Sequence, residues 1–407
     1  MKISIIAMEI PYPPIHGGRA DIWRRIKALS DLGTDLQLLC WCPKVCQPED
    51  LAMIKKYVKN FYPIYYDRQI AAKIRRFIHL FSYPLEVTSR ILKEKQLEEI
   101  LSVIGSFEPD VILSDHVHCG VVALPLSQRL NIPMIVRSHD IEHLHYRYLL
   151  KSAKGYRKLL RLLSLNHLEG YEKSIFKQSL AFYDISADDL NFWQNEGFTN
   201  GYFLPPLIES FDQKSDAVDD VSVKTKVDYE LVFLGNLRTE NNMAGIAWLI
   251  QEVLPLLKVH LPEIKVLIAG SNPTSRIQKL VEKSDGVDLK INPVSAMDIY
   301  QSGHILVNPV ATGSGVSIKS IDMLTAGKPI VTLPKGLYGL PEEAKQFFRV
   351  AVDANSFAVE VLNCLNEKHS KVPDRDVLNS LFGYSVIENF LSDLNRKITG
   401  TSLSSNL

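Results

Sequence analysis

The sequence predicts an α/β protein built from two doubly wound parallel-sheet domains, and three observations predict it. Short β-rich runs alternate with helical patterns along almost the whole chain. Several of those runs are continuously apolar, as strands covered on both faces of a parallel sheet must be. The runs also fall into two series, parted by a charged segment at 209–230 that holds almost no large apolar side chain.

In the first series the expected strands are 2–8, 35–41, 60–66, 111–114, 134–138, 181–185 and 202–205. In the second they are 231–234, 265–269, 287–291, 304–308, 329–333 and 348–352. This gives a first domain over 1–208, a linker over 209–230 and a second domain over 231–384. A last helical pattern follows over 385–398, then a polar tail at 399–407 that reads as disordered.

Composition narrows the function classes. A chain of 407 residues is long enough for two cores, and its formal net charge of zero argues against a dedicated nucleic-acid binder. The first residues read as a strand without a cleavage pattern after it, and no apolar run approaches the ~20 residues of a membrane span. A cytoplasmic protein is therefore expected, with its five cysteines reduced. Cys40, Cys42 and Cys46 are crowded together, but no second cysteine cluster completes four metal ligands.

The most informative stretch is 308–334, NPVATGSGVSIKSIDMLTAGKPIVTLP. It reads as a strand end, a glycine-rich loop, a helix and another strand. The loop Gly313-Ser314-Gly315, with Val316, is expected to open the helix and to aim unpaired N–H groups at an anion. Lys319 and Asp322 then share a helix face, a cation for phosphate and a carboxylate for sugar hydroxyls. Gly327 and Pro329 stop the helix. The same spacing also fits an ordinary loop–helix–strand unit.

Other candidates sit at strand ends. Gly17 and Gly18 follow the first strand and a proline-stiffened turn. Asp115, His116 and His118 end the fourth, and Arg137 with His139 the fifth, where parallel sheets place ligand-binding groups. In the second series Gly235 and Gly270 close their strands, and Arg238 is the nearby cation. The histidines 116, 118, 139, 143 and 145 suggest a metal, with His139 and His143 four residues apart. No Asp-x-Asp motif accompanies them on a strand end, so no metal is expected. Segments 71–80 and 147–165 mix Lys and Arg with Leu, Ile, Phe and Tyr. They read either as a basic amphipathic surface for anionic membrane or as helices packed on their own domain.

In its order of motifs the chain resembles the retaining glycosyltransferases of the GT-B fold, in the large family usually numbered four. The likeness rests on the Gly/Ser loop, the carboxylate-bearing helix, Gly327-x-Pro329-Ile330-Val331 and a second glycine loop, Lys335-Gly336-Leu337-Tyr338-Gly339-Leu340. The resemblance implies two Rossmann-like domains facing across a cleft, the last helix crossing back to the first domain. It implies a nucleoside-diphosphate sugar as donor, a glycan or lipid-linked acceptor and no cofactor. His139 and Asp322 would be catalytic-centre residues, and Asp115, His116 and Arg137 would lie on the acceptor side. Gly17, Gly18, Gly235, Arg238, Gly270, Gly313 to Val316 and Lys319 would hold the donor.

Two departures stand out. Asn236 and Asn241 stand where many relatives carry an Arg and a Lys that clamp the diphosphate. Ser314 stands where many carry the first of two glutamates, while Asp322 matches the second. These leave open a non-catalytic glycan- or partner-binding subunit, and the fold also admits a sugar-nucleotide epimerase.

Overall fold

The structure, a computed structural model, describes residues 1–15, 17–42, 45–66, 69–209, 227–313, 315–367 and 370–404. Most of the expected linker and Ser314 lie outside the described residues. The chain forms two compact units: Met1–Leu207 together with the C-terminal helix Tyr384–Ser404, and Ile208–Gly383.

The first unit holds a seven-stranded sheet, all its pairs parallel. Its strands are β1 (Lys2–Ala7), β2 (Asp35–Cys42), β3 (Asn60–Tyr65), β4 (Val111–Asp115), β5 (Met134–Ser138), β6 (Ala181–Asp184) and β7 (Gly201–Phe203). They run in the order β3-β2-β1-β4-β5-β6-β7. Side chains alternate across the sheet: Ile3 and Ile5 enter one buried cluster, and Ile6 enters the cluster on the other face. On the first of these faces the C-terminal helix buries Ile387, Phe390 and Leu394, a helical i, i+3, i+7 stripe. Tyr384 Oη ties that helix down by donating to Asp31 Oδ2 at 2.7 Å.

The second unit holds a six-stranded parallel sheet in the order β10-β9-β8-β11-β12-β13. Its strands are β8 (Tyr229–Asn236), β9 (Val266–Ser271), β10 (Val287–Ile291), β11 (Gly303–Asn308), β12 (Ile330–Thr332) and β13 (Phe348–Val350). Leu231 and Phe233 face one core and Val232 the other, again by strand alternation. Both sheets are doubly wound: chain direction across the sheet reverses beside the first strand. That reversal leaves a crevice at the strands' C-terminal ends, between β1 and β4 and between β8 and β11.

Two expectations are corrected. The segment from Thr399 was read as a disordered tail, but the helix runs on to Ser404. The helix after the glycine loop starts later than expected, at Ile318, and spans seven residues to Leu324. Gly313 and Gly315 take φ of +138° and +66°, which no right-handed helix accepts, and Ser317 caps the helix by accepting the Ser320 N–H. Among the described residues, no helix is long and apolar enough to cross a membrane.

Candidate functional site

In the second unit the crevice between β8 and β11 holds a cavity of about 130 Å³. Asn241 and Asn242 reach it from the first turn of the helix Glu240–Trp248 that follows β8, and Asn308, Val310, Thr312, Gly313, Gly315, Val316, Ser317 and Lys319 from the end of β11 onward. Lys335 and Gly336 close it from the loop after β12. Two lysines and, among the described residues, no carboxylate line it, so its charge suits an anion.

Each lining group has a local cause. Glycine at 235 lets a side chain lie against β8, since an added Cβ would sit 3.0 Å from Asn242 Nδ2. Asn242 uses that space to donate to the Asn236 carbonyl at 2.9 Å and to accept from Lys319 Nζ at 3.2 Å. Asn236 folds the turn itself, its Oδ1 accepting the Arg238 N–H at 3.0 Å. Gly270, at φ +154°, is demanded by the neighbouring strand, because a Cβ there would overlap the Gly235 carbonyl oxygen. Gly235 and Gly270 thus shape the crevice from behind.

Lys319 carries the site's electrostatics. Its Nζ lies 4.4 Å above the Phe233 ring, and burial brings its pKa down to about 7. A bound anion would restore its charge. Asn308 is buried at the end of β11; its amide donates to Ser320 Oγ at 3.0 Å, while its Oδ1 has no hydrogen-bond partner among the described residues. Of the residues predicted to hold the donor, Gly313, Gly315, Val316 and Lys319 line the cavity. Arg238 is exposed on the turn, and Asp322 is half-buried one turn beyond Lys319, both outside the lining. Lys335 and Asn308 were missed as site residues. The second glycine loop and the polar end of an apolar strand were the signals for them.

In the first unit the crevice between β1 and β4 is filled by a charged network. Asp21, on the helix Gly17–Asp31, binds Arg25 at 2.9 Å and Arg137 at 3.1 Å. Arg25 also pairs with Asp115 at the end of β4. All four side chains are buried. Burial alone would raise the Asp21 pKa, but Arg137 and Arg25 outweigh it and hold the carboxyl well below the usual carboxylate range. Arg137 spends its remaining donors on the carbonyls of Leu204 at 2.6 Å and Pro205 at 3.3 Å. The pair expected on the acceptor side, Asp115 and Arg137, is therefore buried within this network. Gly17 and Gly18 open the helix as exposed residues.

His139 stands at the rim of this network, 15% exposed, with Nε2 3.6 Å from Asp115 Oδ1. Burial lowers its pKa below the ordinary histidine value, so the ring is neutral near pH 7. His116 stacks between His139 at 5.4 Å and His118 at 4.6 Å, and its Nε2 meets Glu142 Oε1 at 2.9 Å. His116 takes φ of +114°, a strained backbone for a residue with a Cβ, as β4 gives way to the following turn.

The spacing of His139 and His143 brings them together on no helix, since the helix begins at Glu142, and His143 Nδ1 instead meets Glu172 Oε2 at 2.7 Å. A different trio, His116, His118 and Glu142, brings one ligand atom each within 4.8 Å of the others and could hold a metal ion.

Comparison with known proteins places this geometry. Residues 228–367 match the family model described as Glycosyl transferases group 1. A Klebsiella pneumoniae protein, described as an uncharacterized 44.6 kDa protein in the cps region, is 24% identical over 376 residues. That alignment covers 89% of this chain and 90% of the relative. Among solved structures, sucrose-phosphate synthase from Thermosynechococcus elongatus aligns with a TM-score of 0.65 at 16% identity, covering 98% of this chain and 100% of that one. HepE of Anabaena in complex with UDP aligns with a TM-score of 0.62 at 10% identity, covering 97% and 100%. The chain has the GT-B fold.

Proposed function

We propose that this chain is a retaining glycosyltransferase that moves a sugar from a nucleoside-diphosphate sugar to a glycan or lipid-linked acceptor, in the assembly of a surface polysaccharide. One observation carries the reading: the crevice of the second unit is lined by Lys319 and Lys335, by loop backbone around two glycines and, among the described residues, by no acid. Its location within the segment matched as Glycosyl transferases group 1 supports it. HepE's complex with UDP makes a uridine nucleotide the first donor to try, and the relative from a cps region suggests the pathway class.

The chemistry follows from the charges. The bond between the anomeric carbon and the diphosphate oxygen breaks, and the bonding pair leaves on the diphosphate. Lys319, Lys335 and the N–H groups of Gly313, Gly315, Val316 and Ser317 stabilise that charge in a site partly stripped of water. The acceptor oxygen attacks the anomeric carbon from the face the diphosphate leaves, and its proton passes to the departing phosphate. Asp322 is assigned to the donor's hydroxyls, and His139 to hydrogen bonding at the sugar as a neutral ring. Asp115 and Arg137 act as positioning residues beneath it. No metal takes part in this reading, since lysines supply the positive charge.

The test is a transfer assay with UDP-, GDP-, ADP- and TDP-sugars against oligosaccharide and lipid-linked acceptors, the product's anomeric configuration being read by NMR. A product that keeps the donor's configuration supports the reading. A donor sugar altered without any acceptor would make the protein an epimerase. Failure to bind or use a nucleotide in every assay would make it a binding subunit.

A further inference from the structure

The amphipathic helices of the first unit turn their apolar faces outward. In the helix Ile70–His79 only Ala72 is buried. Ile70, Ile74, Phe77, Ile78 and Phe81 are 76, 58, 65, 59 and 75% exposed and follow one another at helical spacing on a single stripe. In the helix Tyr156–Leu165 only Ser164 is buried, and Tyr156, Leu159 and Leu160 are 72, 59 and 42% exposed.

The two helices belong to one surface. Asn166 at the end of the second donates to the Leu80 carbonyl at the end of the first, at 3.0 Å, and Ser164 Oγ donates to Glu86 Oε1 close by at 2.8 Å. A patch of this kind on a water-facing protein has a cost unless something covers it.

Charge decides what covers it. Residues 70–85 and 143–168 contain no Asp or Glu, and Lys73, Arg75 and Arg76 on the first segment are joined by Lys154, Arg157 and Lys158 on the second. A second copy of the chain would bring these cations against their own kind. A negatively charged lipid surface would pair with them and take up the Ile and Phe side chains at the headgroup level.

We infer that this face, built on Ile70–His79 and Tyr156–Leu165, docks the protein onto an anionic lipid bilayer. The inference does not rest on the transferase reading, because neither helix contributes to the crevices described above.

The experiment is co-sedimentation of the full chain with vesicles of phosphatidylcholine alone or with about 30% phosphatidylglycerol added. Binding is expected at least about tenfold tighter to the anionic vesicles, and to weaken in about 0.5 M salt. The double variant Phe77→Ser/Ile78→Ser should lose it by about tenfold or more with an unchanged thermal melt, both side chains being exposed in the folded protein. Equal partition onto both vesicle types, or undiminished binding by the variant, would overturn the inference. So would light scattering that finds a dimer split by the same variant without any vesicle binding.

Discussion

Lys319 Nζ lies 3.2 Å from Asn242 Oδ1, a neutral partner, so the lysine's charge is positioned but not neutralised. No carboxylate lines the cavity they share among the described residues. A half-buried cation held by an amide is costly until an anion arrives, and this is why its partial burial depresses it to about 7.

That depression fixes a pH dependence for nucleotide binding. A diphosphate restores the lysine's charge, so binding takes up a proton wherever the free protein has lost it. Affinity should hold below pH 7 and fall by about tenfold per pH unit above it, until the lysine of the bound state deprotonates. Lys319→Arg, always charged, should flatten the profile. Isothermal titration from pH 6 to 9 with each protein reads this directly. The sign for folding is opposite: the unfolded chain keeps that proton to a higher pH, so stability gains from this group as pH rises from about 7.

Lys319→Ala should weaken diphosphate binding by roughly tenfold to a hundredfold, the worth of one charge-assisted contact, and Lys335→Ala by a similar factor. Chelation of divalent metal should leave binding unchanged, since these two side chains supply the positive charge. A loss of affinity with chelator, restored by metal, would contradict this.

His139→Ala should lower turnover by about a hundredfold while leaving nucleotide affinity intact, as expected of a group assigned to the sugar and not to the diphosphate. Separate measurement of kcat and of nucleotide Kd distinguishes this from a general loss of structure.

Asp21→Asn should destabilise the first unit by about 3–5 kcal/mol, because it leaves the buried Arg137 guanidinium without its carboxylate and Arg25 with Asp115 in place of two. Denaturant unfolding checks the size. The pH sign also follows: Asp21 is depressed in the folded state, so its contribution is present above the ordinary carboxylate range and is lost as pH falls below it.

Much of this architecture was legible because burial on both faces leaves a mark in sequence. β5, buried along its length, coincides with the nearly unbroken apolar run expected at 134–138, while the edge strand β10, mostly exposed, coincides with the alternating run expected at 287–291. The start of the helix at Ile318 was less legible. Glycines read as helix openers, but their positive φ keeps 313 and 315 in the loop, and the capping hydroxyl belongs to Ser317.

The burial of Arg137 was hidden for another reason. Its partners Asp21, Leu204 and Pro205 are far apart in sequence, and nothing local marks a guanidinium as buried. The outward face of Ile70–His79 was likewise unreadable. The spacing of its apolar side chains shows that the helix has two unlike faces, but only neighbouring elements decide which one meets water.

The central claim is that the crevice around Lys319 and Lys335 binds the diphosphate of a sugar donor. Calorimetric titration of the full chain with UDP, GDP, ADP and TDP, beside the double variant Lys319→Ala/Lys335→Ala, tests it most directly. Saturable binding of at least one nucleotide is expected, weakened by about a hundredfold or more in the double variant. Failure of all four nucleotides to bind, or equal affinity in the variant, would contradict it.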